Sequence, residues 1–338
     1  MTSFGELEVL EQIWVVDGKR HRPFCEQAKV HCGGSSRRVQ RALTDFGADD
    51  AFAVAAKKFH EHYGVEVSVY RARETTYEHA RRMKEQTPAP CRALPAEGAK
   101  IILTEADGCM MPTVKTSDAP PGADRRKHRQ VEWKEMRLVA ARDVEKVQTH
   151  YAATMDGVEA AGDLWENTAC AAGRGMDTRV HGVGDGAPWV ATQCLARLGP
   201  DVGYLLDLYH VCDYLAAVWP DQRESVQRHR DLLKAGEVQT VLDALRERVE
   251  PAHLPDAQAP ARVALRYLEN RTHQLDYPAA LAAGLPIGSG LIESGNRHVL
   301  QRRLKQAGAW WRPDNLNVMA FLRTIRASGA FELYWGRN

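Results

Sequence analysis

Three acidic residues stand where a carboxylate would be left uncovered and free for chemistry. Asp107 follows the apolar run 100–106 and precedes Gly108; Asp185 follows 179–184 and precedes Gly186. A glycine after an acid at a strand end lets the chain turn away from the side chain, although an ordinary turn is the plainer account of either Asp-Gly pair. Glu293 stands in the first turn of a helical stripe formed by Leu291, Ile292, Val299, Leu300 and Leu304. Pro286, Gly288 and Gly290 forbid regular structure just before it. An acid there could simply complement the helix dipole. Arg297, four residues on, shares its face, and Arg302, Arg303 and Lys305 extend a basic face. Glu105 lies on the same strand face as Asp107. Asp107 is preferred because it stands at the expected strand end beside the glycine.

Three converging carboxylates repel one another by several kcal/mol at close range, and a divalent cation relieves that repulsion. Carboxylate oxygens with open water positions suit Mg²⁺, with Mn²⁺ able to substitute. Two such ions roughly 3.5–4 Å apart would activate a water or a 3′-hydroxyl for in-line attack on phosphorus and stabilise the leaving oxygen.

The elements that must position these acids read as a mixed α/β chain. Strands are expected at 100–108, 135–144 and 147–155, with 110–114 either continuing the first or returning as a hairpin. A helix over 156–176, a strand ending at Asp185, a helix over 188–198 and a strand at 203–207 follow. From 213 to 283 the pattern is helical, with Pro251, Pro255 and Pro260 marking loops, and this is too long for a crossover. The expected fold is therefore α/β (α+β): a mixed sheet flanked by helices, with an all-helical insertion.

Residues 35–85 read as three helices. Ser35 or Ser36 caps the first, which stops at Gly47; Asp49 or Asp50 caps the second, which ends at Gly64; Ser68 caps the third. Arg71, Arg73, Arg81, Arg82 and Lys84 on the third fit the recognition element of a helix-turn-helix, or else the solvated face of a plain bundle. Arg125, Arg126 and Lys127 fall in a basic loop able to touch phosphates. Residues 7–16 read as a strand or a short helix. His21, Cys25, His31 and Cys32 gather possible zinc ligands, but the chain holds no Cys-x-x-Cys pair, which favours ordinary residues there.

Bulk properties limit the classes. A chain of 338 residues, 44% hydrophobic and 26% charged, is an ordinary globular composition with room for two or three domains. Its net charge of +1 gives no global field, so nucleic acid would be bound by local patches. No apolar run approaches the roughly 18 residues of a membrane span, and residues 1–8 do not open a signal peptide. Seven scattered cysteines fit a reducing compartment. The expectation is a cytoplasmic, soluble protein.

Several motifs in order carry a resemblance. Ala106-Asp107-Gly108, Gly184-Asp185-Gly186-Ala187-Pro188-Trp189, 207–215 from Asp207-Leu208-Tyr209-His210, and Gly288-Ser289-Gly290 followed by Glu293-Ser294 resemble bacterial insertion-sequence transposases of the ISKra type. These are DDE transposases with a ribonuclease H-like core. The resemblance extends to 44–49, to 270–277 and to Gly308-Ala309-Trp310-Trp311, and so covers nearly the whole chain. It implies that Asp107, Asp185 and Glu293 hold two Mg²⁺ ions, and that Asp207 and His210 steady the site's edge or contact DNA. A hydrogen-bonded Asp–His pair at a strand-to-helix corner is the plainer account of those two. Some relatives carry a basic residue seven places after the glutamate; here that place is Leu300, so Arg297, Arg302 or Lys305 would clamp phosphate. Trp219 either stacks on a base or packs in a core, and Trp310 and Trp311 are expected in the core.

The implied division is an N-terminal segment (1–34), a helical DNA-binding domain (35–85), a proline-rich linker (86–98), a core in two parts (99–212 and 284–338) and an insertion (213–283). The implied partners are terminal inverted repeats and target DNA, bound by a dimer or higher assembly near the bacterial nucleoid. A catalytically silent DNA-binding repressor and a structure-specific nuclease are the alternatives. A small-phosphoester hydrolase would leave the basic loop and the helix-turn-helix without purpose.

Overall fold

The computed structural model describes residues 1–31, 34–87, 93–116, 124, 128–200 and 202–337. The N-terminal segment holds a hairpin of β1 (Trp14–Val16) and β2 (Lys19–His21), followed by α1 (Pro23–Gln27). Asp17 and Gly18 both take positive φ, as a two-residue hairpin turn requires. The segment 7–16 thus contributes a strand, and only over its last three residues. The Cys25 thiol meets the Glu11 carboxylate at 3.3 Å, and Cys32 lies outside the described residues.

Three helices follow: α2 (Arg37–Asp49), α3 (Phe52–Tyr63) and α4 (Val69–Glu85). Gly64 takes the left-handed conformation that ends α3, and the Ser68 hydroxyl caps α4 by accepting from Arg71 N. Two expectations need correction. Gly47 does not stop α2; a Cβ there would strike the Thr76 side chain, so this glycine lets α4 approach closely. Nor do Asp49 and Asp50 cap α3, whose N-cap is Ala51. Asp49 is drawn to Arg323 and Arg326, and Asp50 to Lys58.

The centre is a five-stranded mixed sheet of β3 (Ile101–Thr116), β4 (Arg129–Asp143), β5 (His150–Thr154), β6 (Arg179–Gly184) and β7 (Gly203–Leu206), in the order β5-β4-β3-β6-β7. β4 runs against the other four. Residues 110–114 continue the first strand. Asp107 therefore lies inside β3, opposite Leu138, and not at a strand end. The continuous ladder with β4, from Ile102↔Asp143 to Thr116↔Arg129, overrides the local turn signal. What ends near Asp107 is the parallel pairing with β6, whose last pair is Glu105↔Val183.

One sheet face is covered by α5 (Val158–Ala171) and α6 (Pro188–Leu198), with Trp165, Val190 and Cys194 against Ile102, Ala106 and Val139. The other face is shared. Over β6 and β7 lie helices of the 213–283 block together with α7 (Leu208–Val218), namely α8 (Arg223–Lys234), α9 (Val238–Arg246), α10 (Pro260–Glu269) and α11 (Tyr277–Ala282). Their core of Val211, Leu215, Leu242 and Leu268 runs into Leu205 and Leu206. Trp219 belongs to that core, stacked on His229.

Over β3 and β4 lies a helix in three parts, α12 (Gly290–Gly295), a π-helical stretch over Asn296–Gln301 and α13 (Arg302–Leu304), and then α14 (Pro313–Ala327) and α15 (Ala330–Arg337). The three-helix unit is fused to this half. Ala48, Tyr77, Ala80 and Met83 share one core with Met111, Leu138, Leu316 and Trp335. Arg303, expected on the basic face, is instead buried, donating to Gly47 O and lying between the Phe52 and Trp311 rings. The tryptophans part company: Trp311 is buried and donates to Leu304 O, whereas Trp310 is exposed. No helix among the described residues is long and apolar enough to cross a membrane.

Candidate active site

The positions of the acids follow from how α12 is seated on the sheet. Asp207 ends β7 and caps α7, its Oδ1 accepting from Tyr209 N and His210 N. Its Oδ2 accepts from Ser289 N at 2.9 Å and from the Ser289 hydroxyl. His181 Nε2 donates to Pro286 O at 2.8 Å, and Leu208 N donates to Ile287 O. The turn 286–289 is therefore stitched to the middle of β6 and the end of β7, which fixes where α12 begins. Glu105, only 1% exposed, completes the seating by accepting from Ile292 N at 2.7 Å. Burial, with Asp207 and Glu293 adding like charge, pushes its carboxyl up to about 8. Glu105 thus serves the start of α12 from beneath.

Asp107, two residues along the same strand face, is partly open. It lines a cavity of about 720 Å³ with Glu293, Ser294, Asn296, Arg297, His298, Gln301 and Lys305. Its Oδ1 accepts from Gly108 N and its Oδ2 from Asn296 Nδ2, both at 2.6 Å. Burial, with Asp185, Glu135 and Glu293 adding like charge, raises its carboxyl to about 6 against the hydrogen bond from Gly108. At Gly108 a Cβ would meet the Glu135 carboxylate, which would have to shift.

Asp185 follows β6 as expected, and its Oδ1 accepts from Ala187 N at 2.8 Å. It does not line the cavity that Asp107 and Glu293 share, although its charge acts on Asp107. Among the described residues no three acids, histidines or cysteines already form a ligand cluster. The oxygen donors are nonetheless of the hard kind that Mg²⁺ takes, and their mutual repulsion at Asp107 is what a cation would relieve.

The remaining expected site residues separate into groups. Arg297 and Lys305 line the cavity; Arg302 is exposed but does not. Leu300 is fully buried. The π-helical stretch adds a residue to the turn, so Gln301 and not Leu300 faces the cavity seven or eight places after the glutamate. Asp207 meets His210 through the backbone N–H of His210, whose ring lies edge-on to Tyr214 and Tyr267. On α4, Arg73 pairs with Glu74 and lies over Tyr70, Arg82 pairs with Glu78, and Arg81 lies over Tyr77. Arg71 is half-buried near Met1, and Lys84 is exposed in the last turn. Arg125, Arg126 and Lys127 lie outside the described residues.

Four side chains at the site were not singled out from the sequence. Asn296 and Ser289 hold Asp107 and Asp207. Tyr267 and Arg271 donate to the backbone carbonyls of Asp185 and Gly186. Asn296 had a signal: it stands three residues after Glu293, on an adjoining helical face. Tyr267 had none, because its partner is a backbone oxygen distant in sequence. Compared with models of known protein families and with curated proteins, the chain matches none.

Proposed function

We propose that this protein is a DNA transposase of the DDE kind that cuts and joins phosphodiester bonds at the ends of its own element. The observation that carries the reading is the shared cavity, lined by Asp107 and Glu293 together with Arg297 and Lys305. Acids beside cations in one open cleft suit a phosphodiester whose backbone is held while one bond is exchanged. The strand order β5-β4-β3-β6-β7, with β4 alone reversed, supports a ribonuclease H-like core. The helical block between β7 and α12 supports an insertion of the sort such transposases carry.

In this reading Asp107, Asp185 and Glu293 are the side chains that would hold Mg²⁺. The bound ion would supply charge neutralisation and activation of a water or 3′-hydroxyl. Arg297 and Lys305 hold the phosphate backbone, Glu105 and Asp207 fix α12 and its turn, and Asn296 orients Asp107. The exposed face of α4, with Arg73, Arg81 and Lys84, is the proposed contact with terminal inverted repeats, and two protomers would pair two ends.

The test is a cleavage and strand-transfer assay with Mg²⁺ on DNA carrying the sequences that flank the gene, beside Glu293→Gln and Asp185→Asn. Joined products that vanish in both variants support the reading. Cleavage without joining would replace it with a nuclease, and DNA binding without chemistry would replace it with a silent repressor.

A further inference from the structure

The turn that carries Asp185 is moulded by side chains of the inserted helical block. Tyr267, in α10, donates its hydroxyl to Asp185 O at 2.5 Å. Arg271, just after α10, donates to Gly186 O twice, from Nη2 at 2.8 Å and from Nε at 3.2 Å. The two donors brace each other: Arg271 Nη1 donates to Tyr267 O, and its guanidinium lies 4.4 Å from the Tyr267 ring centroid. The other face of that ring system is engaged by Tyr214 of α7, stacked at 4.1 Å.

The fit leaves no slack. Gly186 takes a φ of +79°, and a Cβ there would come within 2.6 Å of Leu206 and 2.9 Å of both Arg271 Nε and Tyr267 Oη. The turn therefore needs glycine for its backbone angle and again for the closeness of these donors. Its inner tie, from Ala187 N to Asp185 Oδ1, lies within the same turn as the two held carbonyls.

We propose that Tyr267 and Arg271 are positioning residues for the Asp185 carboxylate. The inserted block would then set the geometry of the second acid, and anything that moves α10 would reach the site through these bonds. The assignment of a purpose to that carboxylate rests on the transposase reading; the positioning itself does not.

Two conservative variants of the full chain test this. Tyr267→Phe keeps the ring stack and removes one donor; Arg271→Lys keeps the charge and loses the two-point hold. Hydrogen exchange of amides 184–187, 189 and 190 should quicken by about tenfold in each, the effect of losing one hydrogen bond, with the melting temperature within about 2 °C of the parent. Unchanged exchange there, or faster exchange spread over the whole insertion, overturns the proposal. In the cleavage assay the Mg²⁺ concentration for half-maximal rate should rise several-fold in both variants, with the rate recovered at high Mg²⁺. An unchanged Mg²⁺ requirement in a cleaving enzyme also overturns it. A parent protein that performs no DNA chemistry overturns the transposase reading alone, and the exchange measurement still decides the positioning.

Discussion

Asn296 and Asp107 are joined by a 2.6 Å hydrogen bond from Nδ2 to Oδ2, tying the helix just past Glu293 to the middle of β3. The bond joins one proposed acid to the helix that carries another, through a residue that is itself 4% exposed. Asn296 stands where the helix passes into its π-helical stretch, which turns Val299 and Leu300 into the core while 296, 297, 298 and 301 line the cavity. Asn296→Ala should leave the fold intact at a loss of about 1–3 kcal/mol and lower cleavage by about tenfold or more, because Asp107 loses its orienting partner. Asn296→Asp should fare worse than alanine in cleavage, since it places a second carboxylate against Asp107. Urea unfolding beside the cleavage rate checks both, and alanine cleaving at the parent's rate would remove Asn296 from the site.

Glu105 and Asp107 share a strand face, and their surroundings separate their tasks. Glu105 is sealed beneath α12 and accepts from Ile292 N, a bond that a glutamine oxygen can also accept. Glu105→Gln should therefore keep cleavage within about threefold of the parent, while Asp107→Asn should lower it by about a thousandfold, as expected for losing a metal-binding carboxylate. The same variant should change stability with a definite sign. The native carboxyl holds its proton up to about 8 while the unfolded one releases it near 4.5, so the parent loses stability as pH rises between those values. Glu105→Gln lacks that loss and should gain on the parent toward pH 8. Abolished cleavage in Glu105→Gln at unchanged stability would make Glu105 the ligand and Asp107 its neighbour.

Much of the sheet was legible because its signals are local. The apolar run at 101–106, the segment 179–184 ahead of Asp185-Gly186, the glycine at 64 and the serine at 68 each act within a few residues, and strands and caps appear where they point. The errors came where a distant partner outweighs the local signal. Asp107-Gly108 reads as a turn, yet fifteen paired positions with β4 hold it extended. Gly47 reads as a helix stop, yet its missing side chain admits Thr76 from α4. Arg303 reads as a surface cation within a basic run, yet two rings and a carbonyl hold it in the core. At the site, the meeting of Asp107 and Glu293 in one cavity was legible from type and spacing, but the place of Asp185 outside it was not. Their supports were not, since Tyr267 and Arg271 act on backbone oxygens more than eighty residues away.

The junction between the three-helix unit and the C-terminal helices contains a buried histidine that should make this contact sensitive to acid. His79 of α4 lies 2.8 Å from Tyr334 Oη through Nδ1 and 2.8 Å from Gln40 Oε1 through Nε2, against the Trp335 ring. Burial, with Arg82 adding like charge, lowers it to about 4; Glu78 pulls the other way, and His31 and Arg37 act with Arg82. The unfolded imidazole titrates near 6.5, so below that pH the unfolded chain takes up a proton that the native one refuses. Stability from this group is complete above about 6.5, falls as pH drops toward 4, and levels off below. Between pH 7.5 and 5 the loss should be about 2 kcal/mol. Urea unfolding across that range checks it, beside His79→Gln, whose amide cannot take up the proton and whose slope should be flatter by that amount. Equal slopes in parent and variant would assign the acid sensitivity of this junction to other groups.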